Sequence, residues 1–99
     1  MFRKIRRFKQ EMPAEECREL LKTQVRGVLS LLGDDGYSYG LPIDYWYNEA
    51  DGKLYFHGAK EGHKIDAIRA CDKASFCIHD EGVRMDGEWP LHFRSVIVF

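Results

Sequence analysis

The clearest pattern in the sequence is an alternation of large apolar side chains with mostly polar or small residues over positions 37–47. A repeat of two residues places alternate side chains on opposite faces of a strand, so this pattern predicts a long, half-buried strand. The preceding run, 25–32, is mostly apolar and predicts a buried strand. Between them, Gly33 to Gly36 predict a tight turn, and the two strands therefore form a hairpin.

Three shorter strands and two helices complete the predicted elements. The strands are expected at 53–58, 74–79 and 93–99. One helix is predicted to begin after Pro13, where Glu15 and Glu16 suit the positive end of a helix dipole. A second is predicted after Gly62, and the polar stretch 80–91 predicts a surface loop.

The order of these elements favours an antiparallel fold. Three successive strands joined by short turns, without alternating strands and helices, favour a β-barrel or an α+β sheet over a doubly wound fold. A chain of 99 residues can close one hydrophobic core, so residues 1–99 are expected to form a single domain. The final strand ends the chain in an apolar run, which predicts that further residues or another chain complete its pairing.

Charge and cysteine content narrow the class of protein. The first ten residues carry five basic side chains and no acid, and the remainder is net acidic. We expect a solvated basic arm over 1–10 and no nucleic-acid partner, because an acidic domain repels a duplex. No apolar run approaches the roughly 20 residues of a membrane helix, and a signal peptide is not apparent. A cytoplasmic protein without a membrane partner is expected, with Cys17, Cys71 and Cys77 reduced.

Candidate chemistry concentrates in the segment YFHGAKEGHK, which joins the third predicted strand to the second helix. His63 and Lys64 fall in the first helical turn, where the dipole disfavours cations and free backbone N–H groups favour an anion. A bound phosphate would make this placement favourable. The alternative is that both residues are solvated basic side chains. Pro42 interrupts the long strand, which indicates a strand edge, a bulge or backbone facing a flat ring.

Three segments, GLPIDYWY, KLYFHGAKEGHKIDAI and FRSVIVF, resemble in order and spacing those of the pyridoxamine-phosphate-oxidase-like FMN-binding proteins, and among these the nitroimidazole-resistance branch. The resemblance covers about residues 25–99. It implies a mostly β, antiparallel Greek-key split barrel that forms a homodimer and holds FMN at the subunit interface. Relatives of the resistance type continue beyond VIVF, so the C-terminal part of the family fold is expected to be missing from this chain.

The resemblance also implies roles for individual residues. The isoalloxazine ring of FMN would lie along Leu41, Pro42 and Ile43. The ribityl chain would be lined by His57, Gly58 and Ala59. The phosphate would be surrounded by Lys60, His63 and Lys64, and Arg94 and Ser95 would border the site from the last strand. His63 stands where pyridoxamine phosphate oxidases have an arginine, which predicts weaker and pH-dependent phosphate binding.

The expected function is that of an FMN-dependent oxidoreductase reducing nitroaromatic compounds such as 5-nitroimidazoles. His57 is the candidate catalytic residue, delivering a proton or contacting the small-molecule substrate. A homodimer is also expected because the aromatic strands carry more apolar surface than a small monomer buries. The alternatives are a flavin- or haem-binding module without turnover, and a dimeric structural domain that has lost its cofactor.

Two other groups of residues carry less chemistry. His57, His63, His79 and Cys77 lack the spacing of metal ligands, so no metal site is expected. Trp89, in the predicted loop, is a candidate interface anchor or a lid over the ring.

Overall fold

The described part of the chain contains two α-helices, seven strands and one 3-10 turn, Asp34–Gly36. The computed structural model describes residues 11–58, 60–87, 89 and 91–99. The predicted basic arm, 1–10, and the predicted ligand residue Ala59 lie outside the described residues. The elements in chain order are α1 (Ala14–Thr23), β1 (Arg26–Leu32), β2 (Ser38–Asn48), β3 (Lys53–Phe56), α2 (His63–Ala70), β4 (Ser75–His79), β5 (Val83–Arg84), β6 (Leu91–His92) and β7 (Ser95–Val98).

Five strands form one antiparallel sheet in the order β3-β2-β1-β4-β7. The strands β1, β2 and β3 follow one another through turns, and β4 returns to pair with β1, which is the strand order of a Greek key. The predicted mostly β, antiparallel architecture with two short helices is therefore confirmed. Closure of this sheet into a barrel remains a prediction.

The alternation in β2 places its odd-numbered residues on the core side of the sheet. Ile43 is buried there, and Leu41 is half-buried opposite Leu29 of β1. At Gly27, opposite Ile43, there is no space for a side chain because the neighbouring strand β4 lies too close. A Cβ at this position would lie 2.5 Å from Cζ of Phe76 and 2.6 Å from the carbonyl oxygen of Cys77.

The core lies between this face of the sheet and the two helices. Its buried side chains are Leu20, Leu21, Leu29, Leu31, Ile43, Ala67, Phe76 and Ile78. The helix α1 begins after Pro13, as predicted, and contributes Leu20 and Leu21. The hydroxyl of Tyr45 donates a hydrogen bond of 2.7 Å to the carbonyl of Leu21, which ties the end of α1 to β2.

The surface loop predicted over 80–91 contains a short hairpin, which was not predicted. The short strands β5 and β6 pair there, with Val83 opposite His92. Asp80 stabilises the base of this hairpin because Oδ1 accepts hydrogen bonds from the backbone N–H groups of Gly82 and Arg94, each 3.1 Å long. The last strand was predicted at 93–99 and spans Ser95–Val98, so it begins directly after Arg94, whose backbone N–H is bound to Asp80.

The described residues contain no helix long and apolar enough to cross a membrane. Their three cysteines, Cys17, Cys71 and Cys77, are free thiols, and each is half-buried.

Candidate functional site

The first half of β2 has an open edge. The strand β3 pairs with β2 only over the four residues from Tyr45 to Asn48. Towards the turn, β2 pairs with β1 on one side, and among the described residues no strand covers the other. The amide of Tyr45 donates to the Val25 carbonyl on the β1 side, at 3.1 Å. Successive backbone N–H groups point to opposite sides of a strand, so the nitrogen of Pro42, three residues before Tyr45, points to the open edge. No ladder hydrogen bond is therefore lost at this proline.

The strand β3 leaves β2 beside this edge. The ladder between them ends where Phe56 lies opposite Tyr45, and continuing the same register would place His57 opposite Asp44. Instead, the chain turns away towards α2. His57 and Gly58 are both exposed at this point of divergence. They therefore lie next to the residues of β2 whose backbone groups face outwards.

The start of α2 exposes backbone donors. Its N-cap residue, Gly62, has a φ of 129°, in a region that favours glycine, and no side chain caps the helix. The first helical hydrogen bond runs from the Asp66 amide to the Gly62 carbonyl, at 3.0 Å. The amides of His63, Lys64 and Ile65 therefore have no acceptor within the helix, which makes this end suited to an anion.

The side chain of Lys64 brings a positive charge to the end of β3. A Cβ added to Gly58 would collide with Nζ of Lys64 and lie 3.5 Å from its Cε. The ammonium group thus occupies the space that a side chain at position 58 would need. Lys60 is exposed in the connecting segment. The structure therefore brings together Gly58, Lys64 and the uncapped start of α2, and we call this group the anion corner.

His63 points to a different set of partners. Its imidazole stacks on the ring of Tyr39 in β2, with centroids 4.2 Å apart and an interplanar angle of 16°. Its Nε2 lies 3.8 Å from Oδ2 of Asp34 in the turn between β1 and β2. The first residue of α2 is thus attached to the β1–β2 hairpin.

Arg94 and Ser95 lie at the far side of the sheet. Ser95 begins β7, and three strands separate β7 from β3. The guanidinium of Arg94 donates from Nε to Oδ2 of Asp80 at 2.9 Å, and its Nη1 lies 3.6 Å from Glu16. The hydrogen bond from Arg94 holds the pKa of the Asp80 carboxyl below its usual range. Within this sheet, Arg94 and Ser95 are not brought to the anion corner.

Arg94 instead lines a groove of about 650 Å³ between the end of α1 and the base of the β5–β6 hairpin. Trp89, in the same hairpin segment, is 86% exposed, and the guanidinium carbon of Arg84 lies 5.7 Å from its ring centroid. This groove is separate from the anion corner.

Sequence reasoning missed Tyr39 and Asp34. The alternation in β2 indicates only which side of the sheet Tyr39 faces, and Asp34 is typical of a turn. Their contacts with His63 depend on how α2 packs against β1, which no local pattern encodes. The side chains of the predicted ring contacts Leu41 and Ile43 face the core, so what this stretch offers the open edge is backbone.

The arrangement can hold an anionic group at the anion corner and a planar polar group along the open edge of β2. Within the described ranges, no cluster of histidine, cysteine and carboxylate side chains could bind a metal ion. The fold and site therefore define a small antiparallel β protein whose open edge and anion corner offer groups suited to an anionic, ring-containing small molecule.

This chain belongs to the pyridoxamine 5'-phosphate oxidase family, whose model matches residues 13–99. Two solved structures are similar to it. An FAD-binding protein from Mesorhizobium loti has 29% identity and a TM-score of 0.69, over 88% of this chain and 56% of that protein. A conserved hypothetical protein from Mycobacterium tuberculosis has 19% identity and a TM-score of 0.66, over 74% of this chain and 44% of that one.

The chain thus spans about half the length of these two proteins. A search of curated protein sequences finds no match. The predicted family is confirmed at this level, and the nitroimidazole-resistance branch remains a prediction.

Proposed function

We propose that this protein binds FMN, with the cofactor phosphate at the anion corner. The observation that carries the proposal is the convergence of the Lys64 ammonium, the side-chain-free Gly58 and the uncapped start of α2. A phosphate there accepts hydrogen bonds from backbone amides and from an ammonium group, both of which favour an anion. The FAD-binding relative from Mesorhizobium loti supports a flavin.

The open edge of β2 fits the ring system of a flavin. Outward-facing backbone groups at Gly40, Pro42 and Asp44 can meet the polar edge of isoalloxazine, and His57 stands where β3 leaves the ladder. One helix start and one ammonium group match the single terminal phosphate of FMN, whereas FAD continues into a pyrophosphate and an adenosine. This comparison favours FMN over FAD.

The matched test of the phosphate site is Lys64→Glu against Lys53→Glu. Both variants reverse one charge. Lys53 begins β3, whereas Gly58 of the anion corner lies beyond the end of that strand, so Lys53 and Gly58 are roughly 16 Å apart along an extended chain. A charged hydrogen bond contributes about 1.5 to 3 kcal/mol, so Lys64→Glu should weaken FMN binding at least about tenfold. Lys53→Glu should leave it unchanged. Equal affinities in fluorescence titrations would refute the assignment.

Cofactor identity is tested separately. Flavin released from the purified protein by acid should co-elute with FMN in chromatography. Titration of the flavin-free protein should give tighter binding of FMN than of FAD or riboflavin. A preference for FAD would contradict the phosphate argument, and a haem absorption spectrum would replace the flavin altogether.

The proposed activity is reduction of nitroaromatic compounds, including 5-nitroimidazoles. The flavin supplies electron transfer when bound, and a reduced nicotinamide is the proposed electron source. The nitro group gains electrons and protons and loses its oxygen atoms as water. The proposed proton donor is His57, and its exposure beside the open edge supports this role.

Two measurements test this activity. Anaerobically reduced protein should be reoxidised by a 5-nitroimidazole, and a failure to reoxidise would indicate a binding module without this activity. Formation of the amine takes six electrons, so it should be measured with excess reduced nicotinamide, which re-reduces the two-electron flavin for each step. His57→Gln keeps a polar side chain of similar reach, so it should retain FMN and lower turnover by about a hundredfold if His57 transfers the proton. Unchanged turnover would exclude that role.

We also propose that two copies associate through the outer face of the sheet. A row of apolar side chains crosses four strands there in direct register: Pro42, Val28, Cys77 and Ile97. Val28 is 45% exposed and Ile97 is 57% exposed in the single chain. A second copy would remove this row from water and place a protein surface beside the open edge of β2.

The dimer is tested by Val28→Lys against Val83→Lys. Both replace an exposed valine, but Val83 lies in the β5–β6 hairpin outside this row. Light scattering should give twice the chain mass for the wild type and Val83→Lys, and the single-chain mass for Val28→Lys. A monomeric wild type at micromolar concentration would refute the dimer.

A further inference from the structure

His63 is attached to the β1–β2 hairpin by a stacked ring and an acidic neighbour. Its imidazole lies nearly parallel to the ring of Tyr39, with centroids 4.2 Å apart, and Nε2 is 3.8 Å from the Asp34 carboxylate. The turn fits closely around this pair. A Cβ added to Gly33 would lie 3.0 Å from Cβ of Tyr39 and 3.4 Å from Nε2 of His63.

The helix that follows depends on such an attachment. α2 has only eight residues, and isolated helices of that length are unstable in water. Among its residues, only Ala67 is buried, and Ile68 is 39% exposed. Core packing therefore fixes the middle of α2, whereas the Tyr39 stack fixes its first residue.

We infer that His63 is a positioning residue, which holds the start of α2 so that its free amides and the Lys64 ammonium meet the cofactor phosphate. The inference rests on the proposed function and assigns His63 a different part from a direct phosphate ligand. Lys64 follows His63 directly, so a shift of the first helical turn moves the ammonium away from Gly58. Tyr39 and Asp34 act through His63 and touch no cofactor.

The stack contributes more to this attachment than the charge. The side chain of Asp34 is 88% exposed, and ion pairs at such exposure contribute little. The ring of His63 is 42% exposed and lies flat against Tyr39, so a phenyl ring can replace it. His63→Phe is therefore the conservative variant, which keeps the stack and removes both ring nitrogens.

The experiment compares His63→Ala, His63→Phe and Tyr39→Leu with the wild type, and uses Tyr37→Leu as the matched control. Tyr37 lies at the end of the turn between β1 and β2, two residues before Tyr39, and is 77% exposed. The first readout is hydrogen exchange at the Asp66 and Ala67 amides of the flavin-free protein. The second is the dissociation constant of FMN.

His63→Ala and Tyr39→Leu should speed exchange at Asp66 and Ala67 and weaken FMN binding, each by about threefold to tenfold, as expected for a lost ring pair. His63→Phe and Tyr37→Leu should remain close to the wild type in both readouts. If His63→Ala does not fold, Tyr39→Leu tests the same attachment from the other side.

Two results would overturn the inference. If His63→Phe weakens FMN as much as His63→Ala while exchange in α2 stays slow, His63 contacts the phosphate itself. If neither His63→Ala nor Tyr39→Leu changes the exchange, the stack does not hold the helix. A wild type that binds no flavin would refute the proposed function alone, and the exchange data would still decide the role of His63.

Discussion

Adding one methyl group at Gly58 should weaken FMN binding without weakening the fold. In Gly58→Ala the new Cβ collides with Nζ of Lys64, the free end of a flexible side chain that can rotate away. The backbone at Gly58 lies outside the left-handed region, so alanine adds no strain there. We expect the free energy of unfolding to change by less than about 0.5 kcal/mol or to rise slightly, as for other compatible glycine replacements. The displaced ammonium should cost about tenfold in FMN affinity.

The same methyl group at Gly27 should have the opposite effect. Its Cβ would lie 2.5 Å from Cζ of Phe76, 2.6 Å from the Cys77 carbonyl oxygen and 2.7 Å from Cγ2 of Ile78. These atoms belong to a buried ring, a backbone and a β-branched side chain, none of which can rotate away. Overpacking of this kind costs about 1 to 3 kcal/mol or more, so Gly27→Ala should be the destabilised member of the pair.

Urea unfolding and fluorescence titration with FMN measure the two effects independently. Gly58→Ala should unfold at the wild-type urea concentration and bind FMN weakly. Gly27→Ala should unfold earlier, and under conditions where it is folded it should bind FMN with nearly wild-type affinity. If Gly58→Ala binds FMN normally, Lys64 does not contact the phosphate, and if it unfolds as early as Gly27→Ala, Gly58 has a structural role.

Three further variants test other contacts. Tyr45→Phe removes the hydrogen bond to the Leu21 carbonyl and should cost about 1 kcal/mol in urea unfolding, whereas an unchanged midpoint would exclude the bond. Gly62→Ala forces alanine to a φ of 129° and should cost about 1 to 3 kcal/mol, with loss of helical circular dichroism as a second readout. Arg94 lowers the pKa of Asp80 in the folded state, so this carboxylate stabilises the fold above about pH 4 and the gain is lost as pH falls through the lowered pKa. The destabilisation by Asp80→Asn should therefore be present at neutral pH and disappear in strong acid, and a pH-independent difference would refute the linkage.

Elements with a repeated pattern were predictable from the sequence, and the two-residue strands β5 and β6 were not. β2 was expected at 37–47 and spans Ser38–Asn48, because its alternation persists through eleven positions. β5 and β6 have two residues each, too few to show a period of two. Their pairing is instead favoured by Asp80, whose side chain binds the backbone at both ends of the hairpin.

The candidate site shows the same division between local and distant contacts. Gly58 and Lys64 are six positions apart and both fall in the segment YFHGAKEGHK, so a local pattern of small and basic residues could identify them together. The partners of His63 come from β2 and the preceding turn, and those of Arg94 come from α1 and the end of β4. Charge alone could not show that Arg94 is bound to Asp80 and Glu16, since many acids in the chain could have been its partner.

Pro42 also affects how the protein behaves towards other chains. An uncovered strand edge is a template on which a foreign strand can add, and this is how many β proteins begin to aggregate. At the open edge of β2 the outward-facing donors would come from Ser38, Gly40, residue 42 and Asp44, but proline has no N–H to donate. The neighbouring carboxylate of Asp44 forms an ion pair of 2.6 Å with Arg26, and an incoming apolar strand would have to bury these two charged groups. The edge is thus accessible to a small ligand, whereas a foreign strand could form only an incomplete ladder with it.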